Sequence, residues 1–154
     1  MKNYIKIVAV LFLAVCCSSC LEMGLEDLET YEGDEITSIQ GVYYRYYTTD
    51  KIEASGEYEV KQISMSVSNS VQNVDAGTWS FNVTTPTNLP SSEQGKVNAD
   101  NLVVVVNLST AAVIEPIGDA PKLGLPGNWS KSNQYKVTAA NGKSKTWTLN
   151  LNFN

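Results

Sequence analysis

From residue 36 onward, apolar residues recur mainly at every second position, which is the spacing of a half-buried β-strand. The clearest example is the segment 78–84, in which Trp79, Phe81 and Val83 share one face and polar residues occupy the other. No long segment keeps apolar residues at the 3.6-residue spacing of an amphipathic helix. The pattern therefore predicts an all-β domain with these three side chains in its core.

Other segments indicate further strands. Residues 36–48 are rich in strand-forming side chains, and the five consecutive apolar residues of 102–106 are typical of a fully buried strand. Segment 57–67 alternates and then slips by one residue, which predicts a β-bulge. A short strand at 111–114 is expected to stop at Pro116.

The C-terminal region predicts a β-hairpin. Residues 135–137 and 147–153 each alternate apolar and polar side chains, and Asn141-Gly142 between them favours a tight turn. Polar segments rich in proline and glycine predict loops at 85–100 and 116–132. Six to eight strands without a helix predict an Ig-like antiparallel β-sandwich, with a closed barrel as the alternative.

The N-terminus has the pattern of a targeting segment. Lys2 and Lys6 precede an apolar run of nine residues, 7–15, which is too short to span a membrane and suits a signal peptide. Cys20 follows two serines, and small residues before a cysteine resemble the lipobox of bacterial lipoproteins. The resemblance implies a signal peptide at 1–19 and a lipid, such as palmitate, on Cys20. Cys16 and Cys17 fit less well, because larger residues precede them.

Residues 20–35 are strongly acidic and predict a tether between the lipid and a β domain at 36–154. Acidic residues soon after the lipidated cysteine also resemble the export signal of Bacteroidetes surface lipoproteins. That resemblance implies a place on the cell surface, at the outer membrane. The alternative is a solvated spacer that carries no sorting information.

The tail of the chain resembles Ig-like domains of uncharacterised Bacteroidetes surface lipoproteins. Residues 135–139 read YKVTA, a glycine turn follows, and residues 145–149 read KTWTL. The resemblance covers about residues 35–48 and 100–152, and it leaves 49–99 without a counterpart. Many members of this family accompany polysaccharide-uptake or adhesion systems, so the resemblance implies a non-enzymatic role at the cell surface.

Composition excludes several classes of function. The chain has no histidine, so catalysis and metal binding by imidazole are absent. A net charge of −5 and a single arginine argue against a nucleic-acid partner. Neither a cofactor nor a metal is expected, since Asp34 and Glu35 lack the spacing of a calcium loop. All three cysteines precede residue 21, so no disulfide framework holds the fold.

Four aromatic or basic side chains are candidate ligand contacts. On a strand, Tyr43, Arg45 and Tyr47 share one face, and tyrosine rings suit half-wet surfaces on which sugars stack. Trp129 lies in a predicted loop and could form a second sugar platform. The alternatives are cross-strand aromatic pairing for the tyrosines and packing inside the sandwich for Trp129.

These observations predict a non-catalytic, lipid-anchored surface protein that binds polysaccharide or serves as the accessory module of a glycan-capture system. The alternative is a structural or adhesive envelope subunit that binds another outer-membrane lipoprotein. A hydrolase using carboxylates among Asp50, Glu53, Glu57 and Glu59 is the least supported class.

Overall fold

The computed structural model describes residues 30–154, which contain nine β-strands and one 3₁₀ helix, Ala99–Asn101. The strands are β1 (Ile36–Lys51), β2 (Tyr58–Ser64), β3 (Ser66–Asn73), β4 (Thr78–Thr84), β5 (Leu102–Leu108), β6 (Val113–Pro116), β7 (Pro126–Gly127), β8 (Asn133–Thr138) and β9 (Ser144–Phe153). The predicted signal peptide, Cys20 and the part of the tether before residue 30 lie outside the described residues.

Two open sheets form the domain. One has the strand order β2-β1-β5-β7, and the other has the order β3-β4-β9-β8-β6. The predicted all-β sandwich is therefore confirmed, and the alternative of a closed barrel is wrong. Two details differ from the expectation: the two-residue β7 raises the strand count to nine, and β4 and β9 are parallel. Parallel neighbours need a long connection, and the chain between β4 and β9 supplies it by contributing β5 and β7 to the other sheet.

The core lies between the two sheets and is filled by alternate residues of the central strands. Phe81 of β4 and Trp147 of β9 are fully buried, and Trp79 is nearly so. They belong to the same buried cluster as Val42 and Tyr44 of β1. The predicted core position of Trp79, Phe81 and Val83 is thus confirmed.

The chain passes from one sheet to the other at Met65, between β2 and β3. The Met65 backbone N–H donates to the Val42 carbonyl oxygen at 2.8 Å, and the Met65 side chain is buried in the core. The β-bulge predicted from the slip between Val60 and Ile63 is wrong, because β2 pairs with β1 in an unbroken register from Val60 to Ser64. The alternation slips because Tyr58 and Val60 face solvent, whereas Ile63 packs against the core.

The C-terminal hairpin forms as predicted. β8 and β9 pair antiparallel from Asn133 opposite Leu149 to Thr138 opposite Ser144. Gly142 has a φ of +86°, a left-handed conformation that glycine adopts without steric cost. The turn thereby matches the twist of the two strands.

The last residues of the predicted tether contact the sandwich. The Trp147 indole N–H donates to the Asp34 carbonyl oxygen at 3.0 Å, and the Ser109 N–H donates to the Glu35 carbonyl oxygen at 3.0 Å. Asp34 is buried, and the compact unit begins at Tyr31. These bonds hold the entry to β1 in place.

The long loop after β4 is attached to the sandwich by a buried carboxylate. The Tyr44 hydroxyl donates to Glu93 Oε2 at 3.0 Å, and Lys96 Nζ lies 2.9 Å from Glu93 Oε1. Lys96 and Tyr44 hold the pKa of the Glu93 carboxyl below its ordinary value. Burial, followed by the bond to Glu93, raises the pKa of Tyr44 to about 12. The charged form of Glu93 is therefore the form that closes the loop onto β1.

We expect Glu93→Gln to reduce the dependence of stability on pH. A lowered carboxyl pKa contributes stability above the ordinary value of 4.5, and this contribution is lost as pH falls through the lowered value. Free energies of unfolding at pH 7 and pH 3 should therefore differ less in the variant than in the wild type. Glu57→Gln, at an exposed position, is the control. An unchanged difference in Glu93→Gln would contradict this role of the carboxylate.

Gly77 and Gly56 form a matched pair for testing the parallel β4–β9 contact. Both have a positive φ, +61° and +71°, but only a Cβ at Gly77 would collide with the Thr146 carbonyl oxygen. We expect Gly56→Ala to lower the free energy of unfolding by about 1–2 kcal/mol through backbone strain alone. Gly77→Ala should lower it by about 2–5 kcal/mol, because the clash adds to the strain. Urea denaturation measures the free energy of unfolding of both variants. Equal losses in the two variants would show that the close approach of Gly77 to Thr146 of β9 does not limit the side chain at residue 77.

Candidate functional site

The outward face of β1 carries the predicted tyrosine strip. Tyr44 is buried and stacks on Tyr46, with ring centroids 5.9 Å apart, so these two side chains face the core. Strand alternation places Tyr43, Arg45 and Tyr47 on the opposite, outer face. The predicted division of the tyrosines between two faces is what the structure shows.

The three predicted contacts differ in their accessibility. Tyr47 is 74% exposed. Tyr43 is only partly exposed, because its ring folds over Gly41, where an added Cβ would lie 2.7 Å from the tyrosine hydroxyl. The Arg45 Nε–H donates to Gln62 Oε1 at 2.7 Å, which ties the guanidinium to the neighbouring strand β2. Tyr47 is therefore the most accessible ring of the strip.

Strand β2 extends this surface beyond the predicted residues. Val60 lies directly opposite Tyr47, and Tyr58 lies opposite Lys51, so all four side chains share the outer face. Tyr58 and Val60 are each 51% exposed. The Lys51 ammonium sits 5.1 Å from the centre of the Tyr58 ring. We call the outward side chains of Arg45, Tyr47, Lys51, Tyr58 and Val60 the hairpin face.

Sequence reasoning missed the β2 half of the hairpin face. The available signal was the alternation of Tyr58 and Val60, but a strand pattern does not tell which face is inward. Only the pairing register with β1 shows that both side chains point outward beside Tyr47.

The hairpin face combines two exposed rings with two cations in an acidic chain. Tyrosine rings offer apolar faces for stacking, and their hydroxyl groups remain able to donate and accept hydrogen bonds. The Arg45 guanidinium keeps donors beyond the one used by Gln62. The surface can therefore contact a ligand that is apolar on its faces and hydroxylated at its edges.

Trp129 is not part of an exposed site. It is fully buried, its indole N–H donates to the Leu102 carbonyl oxygen at 3.1 Å, and its ring stacks on Tyr135. Burial raises the pKa of Tyr135, whose hydroxyl donates to the Pro121 carbonyl oxygen at 2.8 Å. The prediction of a sugar platform at Trp129 is corrected: this ring anchors a loop rich in proline and glycine to the core.

The carboxylates considered for hydrolysis lie around the same hairpin. Glu59 Oε2 is 3.4 Å from Lys61 Nζ, and both side chains are about half exposed, as in an ordinary solvated ion pair. Asp50, Glu53 and Glu57 are exposed. Within residues 30–154, no group of three or more acidic or cysteine side chains is placed to hold a metal ion. No helix in that part of the chain is long and apolar enough to cross a membrane.

Comparison with known proteins identifies the family. A crystal structure described as a "putative secreted protein" from Bacteroides fragilis is 35% identical, has a TM-score of 0.72, and matches 82% of this chain and 99% of its own. No curated protein matches the chain. These findings fit the predicted uncharacterised Bacteroidetes surface protein at a coarse level. The DUF5018-related family model matches residues 36–150, from the start of β1 into β9. The chain belongs to the DUF5018-related family.

Proposed function

We propose that this protein is a non-catalytic, lipid-anchored surface module that binds polysaccharide through the hairpin face. The observation that carries the proposal is the exposure of Tyr47 and Tyr58 on one face, between the cations Arg45 and Lys51. The Bacteroides fragilis relative is described as secreted, which indicates an extracellular or envelope location. An extracellular location and an exposed tyrosine face together suit a module of a glycan-capture system.

The physical basis is the match between a tyrosine face and a sugar ring. The C–H faces of a sugar pack on aromatic rings, while its hydroxyl groups bond to the tyrosine hydroxyls and the arginine. The hairpin face is open, so an extended polymer can lie across it without entering a pocket. Binding by such a surface needs no catalytic group, which is consistent with a chain that has no histidine.

We expect the combined substitution of Tyr47→Ala and Tyr58→Ala to weaken polysaccharide binding by about tenfold or more, because two stacking rings are lost. Retardation in native gels containing neutral or acidic polysaccharides measures the effect. Tyr31→Ala is a matched control, because Tyr31 is 56% exposed and its backbone contacts the β8–β9 turn instead. Equal retardation of the wild type and the double variant, or none for the wild type, would contradict the proposal.

The lipid anchor is tested at the cysteines. We expect Cys20→Ser to lose incorporation of labelled palmitate and to leave the membrane fraction, since a soluble domain needs its acyl chains to stay bound. Cys17→Ser is the matched control and should retain both properties. If Cys17→Ser loses the label instead, the lipid is attached to Cys17.

The orientation of the domain is tested by protease treatment of intact cells. We expect the wild type to be degraded, because a surface module faces outward.

A second candidate function is adhesion to a partner lipoprotein at the edge of the five-stranded sheet. The favouring observation is that β3 is exposed along its whole length and contains neither a charged residue nor a proline. Such an edge can pair with a strand from another chain. Chemical cross-linking on cells should then capture a partner with the wild type and lose it with Val71→Lys.

A further inference from the structure

The outer face of the five-stranded sheet is made almost wholly of uncharged hydroxyl and amide side chains. They are Ser66, Ser68 and Asn73 of β3; Thr78, Ser80, Asn82 and Thr84 of β4; Gln134 and Thr138 of β8; and Ser144, Thr146, Thr148, Asn150 and Asn152 of β9. The exceptions are Val71, Lys136, and the two outward residues of edge strand β6, Val113 and Glu115. Although the chain has sixteen acidic residues, none lies in β3, β4, β8 or β9.

Neighbouring strands hold some of these side chains in fixed positions. Asn150 Nδ2 donates to Ser80 Oγ at 3.2 Å, and Asn152 Nδ2 donates to Asn82 Oδ1 at 3.2 Å. An asparagine amide can donate two hydrogen bonds and accept two, and each of these bonds uses one donor. Asn150 and Asn152 therefore present oriented donors and acceptors on the outer face.

A groove runs along this face beside β9. The loop 130–132 borders a cavity of about 380 Å³ that is also lined by Ser80, Asn150 and Asn152. A second cavity of about 200 Å³ shares Ser132 and continues past Thr148. The two cavities adjoin at Ser132 and follow successive outward residues of β9.

Asn133, at the start of β8, holds the loop that borders the groove. It is 1% exposed, and its register opposite the buried Leu149 places its side chain on the core side of the sheet. Asn133 Nδ2 donates to the carbonyl oxygens of Asn128 and Lys131, at 3.0 and 3.2 Å, which fixes the orientation of the amide. Within the described residues, Asn133 Oδ1 has no hydrogen-bond partner. Because this oxygen is buried, it is not a contact for a ligand in the groove, and the role of the amide is to hold the loop that borders the groove.

The charges near the groove compensate each other. Lys131 pairs with Asp119, and the ammonium holds the pKa of that carboxyl below its ordinary value. Neither an anionic nor a cationic ligand therefore meets an unpaired opposite charge at this loop. The outer face also lacks the aromatic and aliphatic centre that a stable protein interface requires, since its apolar side chains, Val71 of β3 and Val113 of β6, lie on the two opposite edge strands.

We propose that this groove binds a neutral, hydroxyl-rich ligand, a stretch of uncharged polysaccharide, through Asn150 and Asn152. The inference rests on the proposed function, because it gives the same protein a second glycan contact. The groove recognises hydroxyl groups by hydrogen bonds, whereas the hairpin face stacks on sugar rings. One sandwich would thus contact glycan on two opposite outer faces.

The NMR signals of the asparagine side-chain amides show directly whether a ligand binds in the groove. The ¹⁵N-labelled wild-type domain is titrated with neutral oligosaccharides from β-glucan, mannan and xylan, and with oligogalacturonate as an anionic probe. We expect at least one neutral probe to shift the amide signals of Asn150 and Asn152 in a saturable way. The inference is overturned if no neutral probe shifts them, or if oligogalacturonate shifts them equally.

Variants separate this inference from the proposed function. We expect Asn150→Ala combined with Asn152→Ala to lower the affinity tenfold or more. The ligand is the neutral oligosaccharide that shifts the amide signals of the wild type. Thr146→Ala, on the same face of β9 but outside the groove, should leave affinity unchanged. If only Tyr47→Ala with Tyr58→Ala weakens binding, the hairpin face stands and the groove is wrong. If only the asparagine variant weakens binding, the groove stands and the hairpin face is wrong.

Discussion

The parallel pairing of β4 and β9 is the constraint on which the rest of the sandwich depends. Its register sets Trp79 beside Leu149 and Phe81 beside Leu151, so two rows of large apolar side chains point the same way. A row of this kind is stable only when another layer removes it from water. The sheet built on β1 provides that layer, with Tyr44 among the side chains that meet the rows.

The same constraint determines what the outer surfaces contain. Because alternate residues of β4 and β9 are committed to the core, the residues between them must face solvent. On the five-stranded sheet these positions carry hydroxyl and amide groups, and two amides, Asn150 and Asn152, are held by bonds between the strands. On the four-stranded sheet, β1 and β2 instead expose Tyr47 and Tyr58. The two faces of one sandwich therefore offer different chemistry to a hydroxylated polymer.

Strand patterns carry most of the information that sequence alone provides here. The alternation around Trp79 and Trp147 predicts both core rows, and it also divides the tyrosines of β1 between two faces. Local patterns do not show which apolar residues of a strand face inward, so the slip between Val60 and Ile63 predicts a bulge where the pairing is regular.

The interactions that sequence missed join residues far apart in the chain. Glu93 lies in a polar loop and gives no local sign that Tyr44 will bind it. Trp129 also lies in an irregular segment, where exposure is the usual expectation, yet its partner is the backbone of β5. The outward position of Tyr58 likewise depends on its register with β1. Tertiary partners decide all three positions, and no short pattern encodes them.

The edges of the two sheets favour binding on faces over binding by strand addition. Asn69, at a φ of +47°, lies in a bulge that divides β3 into two short pairing segments, and bulges of this kind hinder edge-to-edge pairing. Charged Glu59 and Lys61 lie on β2, while Pro116 ends β6 and Pro126 begins the two-residue β7. Each of these features limits the length over which another strand could pair. The broad outer faces are left as the surfaces with enough oriented groups to bind a polymer, so glycan contact ranks above adhesion through an edge.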